Sequence, residues 1–206
     1  MVDLSSVGGI VSIPLMFVSV LSLAIIIERI IFWNSVLSKQ ERIRSNILSM
    51  HSGNDKIISN NKKSDHPLIV FYNSLIQSKY DGFQELQTQI KIGLQYTEPV
   101  LNRFDTTLST IVAIAPLLGL LGTVLGLIRA FHGISLGQPL ENTEVVISGI
   151  SEALVSTAIG LIVAIITLSF TNLFRSLKRK EKHELLLFAT RLESQQLELR
   201  CTTNGI

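Results

Sequence analysis

The chain reads as an all-α integral membrane protein. It has three transmembrane helices with long cytoplasmic helical extensions, the N-terminus outside and the C-terminus inside. Three observations predict this. Hydrophobic residues make up 47% of the 206 and charged residues only 17%, with a mean hydropathy of +0.42, a balance typical of membrane proteins. Three windows are apolar over ~20 residues, the length a helix needs to cross a bilayer. The 18 Lys and Arg are also spread unevenly. Ten lie between Arg29 and Arg103, seven from Arg175 onward, one (Arg129) edges the loop between the second and third windows, and none precedes the first. Basic residues accumulate on the cytoplasmic side of short loops, which sets the orientation.

The first membrane helix covers 1–38. Its apolar run extends from about Leu4 to Ile27 and continues through Glu28 and Arg29 into "IIFW". With no basic residue before it and no small-x-small cleavage site after it, it reads as a retained span rather than a cleaved signal. Glu28, beside Arg29 at the cytoplasmic end, reads as a local pair. A cytoplasmic helical region over 39–104 comes next. It begins with the polar stretch "SGNDKIISNNKKSDHP", after which Phe83, Leu86, Ile90, Leu94 and Leu101 recur at helical spacing. That pattern feeds into the second span without a break, so one helix is expected from about Asp81 to beyond Leu127. The second membrane helix covers 105–132, a short outer loop 133–144, the third membrane helix 145–174, and a cytoplasmic C-terminal helix 175–206. In this last part Lys178, Arg179 and Lys180 either join a helix packed on its neighbours or meet lipid headgroups.

Several function classes are excluded. The single cysteine, Cys201, allows no internal disulfide, and His51, His66, His132 and His183 are scattered without metal-ligand spacing. Neither a phosphate-binding glycine loop nor a nucleophile elbow is present, and no basic and aromatic residues interleave for nucleic acid. No cofactor is expected, and a soluble enzyme does not fit the composition.

Chemistry is confined to two helix faces. In the second span Gly119, Gly122 and Gly126 share one face, and "GTVLG" is a small-xxx-small motif that admits a close neighbour. Thr123 borders that face. Pro116 removes the usual donor to the carbonyl of Val112. In the third span Ser148, Glu152, Ser156 and Gly160 recur every four residues, continued by Ala164, Thr167 and Thr171, with Thr157 at the border. Leu154, Leu161, Ile162 and Ile165 occupy the opposite side. The two polar faces are expected to line a cavity together, with the bulky first span toward lipid.

Glu152 stands out. An acid at a helix centre costs ~2.5–3.5 kcal/mol on insertion scales, so such residues pair, face water or serve a function. It lies roughly 10 Å along the third helix from Val145, inside the hydrocarbon but off centre. It reads either as a carboxylate snorkelling outward or bonded to a neighbouring hydroxyl, or as a protonatable site on an ion path.

The motifs "APLLGLLGTVLGLIRAF" and "ISEALVSTAIGLIVAI" with "TNLF", together with Glu28–Arg29, resemble the ExbB/TolQ/MotA proton-channel family, closest to ExbB and TolQ. The resemblance spans about Thr106 to Phe174. It implies a motor subunit of a bacterial inner membrane, forming a homopentamer around the single span of an ExbD- or TolR-like partner that carries an essential aspartate. It also implies coupling of proton flow to TonB-dependent import or, in the TolQ branch, to envelope integrity through a TolA-like protein. Three spans rather than four argue against the MotA branch. By resemblance the pore glutamate falls on Glu152, the pore threonines on Thr123 and Thr157, and the proline of the second span on Pro116. Gly119, Gly122, Gly126, Ser156 and Gly160 serve the pore face or helix packing. The rival readings are a non-conducting scaffold in which Glu152 only fixes packing, and a sodium-driven version of the same motor.

Overall fold

A computed structural model describes residues 9–50, 66–77, 83–135 and 143–203. They form five helices: α1 (Gly9–Met50), α2 (Pro67–Gln77), α3 (Phe83–Asn102), α4 (Asp105–Ser135) and α5 (Thr143–Thr203). Three helical stretches are long and apolar enough to cross a membrane. The polar stretch from Ser52 to Asp65 and the loop over 136–142 lie outside the described residues.

The chain divides into two compact units, Met1–Arg29 with Phe104–Leu173, and Ile30–Arg103 with Phe174–Ile206. The first is the membrane unit. Here α1 buries Leu15, Ser22, Ile25, Ile26 and Arg29 along one stripe, while Ile13, Met16, Phe17 and Val20 are exposed. The first span is therefore not uniformly lipid-facing, contrary to the expectation from its even bulk. Its inner stripe recurs every three or four residues, and Val18 packs against a core of Ala115, Val163 and Ala164.

The single helix expected from about Asp81 through Leu127 is a second correction. Asp81 lies outside the described residues, and from Phe83 the chain forms two helices, broken at Arg103–Phe104. Phe104 has φ 62°, the left-handed region that a bulky side chain rarely enters. A helix cannot continue through such a residue. The Phe104 carbonyl instead accepts the Leu108 N–H at 2.9 Å and opens α4, with Asp105 in its first turn, where helix dipoles favour an acid. The guanidinium of Arg29 lies 5.9 Å from the centre of the Phe104 ring, a cation–π contact that helps hold Phe104 in place. Arg29 also meets Glu28 at 4.0 Å, the local pair expected from their adjacency.

The second unit is built on aromatic and leucine packing. Helices α2 and α3 pack together, and Phe71 meets Phe188 edge to face at 6.4 Å. Phe71, Leu75, Ile90, Leu101, Leu185 and Phe188 are buried; the expected apolar periodicity of α3 thus points inward at Ile90 and Leu101. His66 begins α2. Its carbonyl accepts the Ile69 and Val70 N–H groups, its Nδ1 accepts the Leu68 N–H, and its Nε2 donates to the Val36 carbonyl. Pro67 at the first helical position loses no needed donor. Burial, with a smaller contribution from Lys39, outweighs the Val36 bond and lowers the His66 pKa, so the ring is neutral and can both donate and accept. Glu181, buried among Gln40, Leu68, Leu185 and Phe188, is pushed up to about 7 by desolvation and then by Glu184.

Candidate functional site

The site forms where α4 and α5 run antiparallel. Where the two helices meet, the buried positions include Ala115, Gly119, Gly122, Gly126 and Ala130 of α4 and Gly149, Ala153, Ser156, Gly160 and Ala164 of α5. Both sets step by three or four, so each is one helix stripe. These residues have small or no side chains, and the backbones meet directly. A Cβ built on Gly126 would lie 2.7 Å from both the Ala153 Cβ and the Gly149 carbonyl oxygen. One on Gly160 would lie 2.7 Å from the Ala115 oxygen, and one on Gly119 3.0 Å from the Thr157 Cα. Gly119 and Gly126 are seven residues apart, as are their partners Gly160 and Ala153. That shared two-turn repeat is the period at which facing helices stay in contact.

This corrects the expectation of a cavity between the two small faces. Within one chain they close on each other, because residues without bulk let the backbones approach instead of holding them apart. Gly119, Gly126, Ser156 and Gly160 all belong to this contact. Gly122 is buried on the same stripe, and Pro116 lies half-buried beside Ala115 without ending α4.

Hydroxyls stitch the contact. Thr157 Oγ1 donates to the Gly119 carbonyl at 3.1 Å. Ser156 Oγ lies 2.8 Å from the Ala153 carbonyl and 3.4 Å from that of Gly119. Thr123 donates within its own helix, to Leu120 at 2.7 Å. Deeper along α5, Thr167 and Thr171 are buried and each satisfies itself on the carbonyl one turn back. These hydroxyl protons are thus committed to backbone, and what each oxygen still offers is lone pairs.

Glu152 is half-buried at the margin of the stripe. Its partner is not a hydroxyl. Arg129 of α4 donates from Nη1 to Oε1 at 2.7 Å and to Oε2 at 3.0 Å. In the sequence Arg129 serves only as a marker of orientation, and this pairing is missed. A signal exists: Arg129 and Glu152 both lie within a few turns of the loop joining two antiparallel helices. Such a loop brings residues at similar distances from it to similar heights. The structure therefore brings Glu152 together with Arg129, and Thr157 with Gly119, while Thr123 turns its hydroxyl back along α4. On the outer sides Leu117, Leu120, Leu121, Leu154, Ile162 and Ile165 are exposed, which suits a lipid-facing surface.

An ion pair set beside a close contact of two membrane-length helices fits a membrane protein in which an acid within an apolar helix is paired. Residues 63–186 match the MotA/TolQ/ExbB proton channel family. A protein called ExbB-like 3 in Synechocystis sp. is 41% identical over 173 residues, covering 82% of each chain. The biopolymer transport protein ExbB of Salmonella typhimurium is 46% identical over 74 residues, 36% of this chain and 30% of that one. The Tol-Pal system protein TolQ of Haemophilus influenzae is 45% identical over 58 residues, 28% of this chain and 25% of that one. The chain belongs to the MotA/TolQ/ExbB proton channel family, and within it is most similar to the ExbB and TolQ members.

Proposed function

We propose that this chain is the proton-conducting subunit of a bacterial inner-membrane energy transducer of the ExbB type, with Glu152 as the residue that takes up and releases the proton. The carrying observation is a carboxylate partly buried in a membrane-length helix, at the edge of a polar seam with Thr157 and paired with Arg129. The cytoplasmic basic residues support an N-terminus outside and a C-terminus inside. Five copies surround the single span of an ExbD-like partner, whose carboxylate exchanges protons with the seam. Protons driven inward then power a TonB-like protein that serves outer-membrane import. One charge crossing 100 mV releases ~2.3 kcal/mol, so a few protons suffice for a conformational step of several kcal/mol. No covalent bond in a substrate is made or broken. Similarity to a TolQ over the motif region supports a second reading, work delivered through a TolA-like protein to the envelope.

The test uses cells expressing the full chain with its single-span partner. Cytoplasmic pH is followed with a ratiometric reporter after external acidification, in wild type, Glu152→Gln and Thr157→Ala at matched membrane levels. Acidification in wild type that Glu152→Gln reduces at least tenfold is the expected result. Equal acidification in all three, with transport-linked growth also intact, would leave a scaffold in which Glu152 only packs. Replacing sodium by potassium should leave the wild-type response unchanged.

A further inference from the structure

Both hydrogen bonds that Glu152 receives come from one nitrogen of Arg129, at 2.7 and 3.0 Å. The neighbouring hydroxyls donate elsewhere: Thr157 to Gly119, Ser156 to Ala153 and Gly119, Thr123 to Leu120. Among the described residues a cation alone therefore satisfies this carboxylate. A guanidinium keeps its proton in proteins, so the contact is a charge-assisted one between a permanent cation and an acid. The two partners are unequally exposed. The Arg129 side chain is 41% exposed and that of Glu152 14%. Arg129 therefore has more room to move off the contact, whereas an ionised Glu152 left alone would carry a heavy desolvation penalty.

We propose that Arg129 is a positioning residue of the proton site: it holds Glu152 as a carboxylate between transfers, and a proton binds only as the guanidinium swings off and takes water in place of Glu152. The inference rests on the proton-path reading of Glu152. In the step, one carboxylate oxygen gains one proton from hydronium on the outer side, leaving a water molecule, and Arg129 keeps its charge throughout. The site passes from net zero to +1. Release of the proton reverses both changes and re-forms the pair. The bond to Arg129 thus gates loading, because every loading event must break it.

The experiment reconstitutes the full chain with its single-span partner in lipid vesicles and measures proton flux against external pH for wild type, Arg129→Gln, Arg129→Lys and Glu152→Gln. In parallel, infrared difference spectra of the same preparations follow the carboxyl band of a protonated acid, assigned to Glu152 by its loss in Glu152→Gln. Arg129→Gln should displace the pH profiles of flux and of the band together, and Arg129→Lys should restore most of the wild-type profile. If flux requires Glu152 while Arg129→Gln leaves both profiles in place, the role given to Arg129 is wrong and the proton-path reading stands. If Arg129→Gln abolishes flux at every pH yet leaves the titration of the band unmoved, Arg129 is merely structural and the proposal is again overturned. Flux that persists in Glu152→Gln would instead remove the reading on which it rests.

Discussion

The two units of this chain solve the same packing problem with opposite materials. In the membrane unit α4 and α5 meet through Gly119, Gly126, Gly149, Ala153 and Gly160, backbone against backbone. In the other unit the contacts are carried by side chains: Phe71 against Phe188, with Leu75, Ile90, Leu101 and Leu185 around them. The solvent explains the contrast. Lipid tails are as apolar as leucine, so burying a leucine in the membrane gains little, and helices associate through close van der Waals fit and interhelical hydrogen bonds. In water, removing large apolar surfaces is the main driving force. Buried hydroxyls of the membrane unit, such as Thr167 and Thr171, bond to their own helix. The second unit has such a hydroxyl in Thr97, and in addition buries His66 and Glu181, whose ionisation burial perturbs.

That contrast can be broken first at the glycines. Gly126→Leu and Gly93→Ala start from the same clash distance: a Cβ would lie 2.7 Å from the Ala153 Cβ and the Gly149 oxygen in one case, and 2.7 Å from the Ser74 Oγ in the other. At Gly126 the obstacles include fixed backbone, and leucine adds more bulk behind the Cβ. At Gly93 the nearest obstacle is a hydroxyl that can rotate, although the Phe71 ring at 3.0 Å limits the relief. Gly126→Leu should therefore part α4 from α5 and reduce proton flux at least tenfold. Gly93→Ala should cost about 1–3 kcal/mol, the range for overpacking, read as a modest loss in thermal melting of the detergent-purified protein.

Glu181 sharpens the comparison through pH. Its pKa stands at about 7 in the folded protein against 4.5 for a glutamate in water, so between those values the folded state holds a proton that the unfolded state has lost. Stability then falls as pH rises from about 4.5 to about 7 and is level above. Glu181→Gln should flatten that slope and raise stability at pH 8 by about 1–3 kcal/mol, checked by melting curves of both proteins from pH 5 to pH 8. A wild-type slope that survives in Glu181→Gln would assign the effect to another group.

The smallest effect belongs to Lys182 and Glu98, an ion pair exposed on both sides. The hydrogen bond and charge of Lys182 lower the Glu98 pKa, but water and salt screen such contacts. Lys182→Ala should leave the melting temperature within experimental scatter, and a clear drop would show this surface to be more enclosed than its exposure indicates.

Particular residues mark how far the sequence can be read. The stripe Ser156, Gly160, Ala164, Thr167, Thr171 is legible because a period near 3.6 places those positions on one side of any helix, and all five are buried. Ser148 shares the spacing yet is exposed, since strict four-residue steps drift round a helix of 3.6 residues per turn and the buried seam passes to Ala153 and Gly149 instead. The break at Phe104 is hidden because apolar periodicity runs on across it, and a left-handed residue leaves no trace when it is not glycine. Glu181 sits in "KRKEKHE", which reads as a solvated charge run; only its place beside Leu68 and Phe188 makes it buried.

By itself the sequence determined the class, the three membrane-length stretches and the polar face that carries Glu152, because hydropathy and helical period are one-dimensional properties. The tertiary structure alone decided that Arg129 answers Glu152, that the glycine faces close on each other, and that the helix breaks at Phe104. The first two depend on the register and approach of two helices, and pairing at 2.7 Å is a property of two positions in space that no spacing within either helix contains. The third depends on a backbone angle that the contact with Arg29 helps to hold.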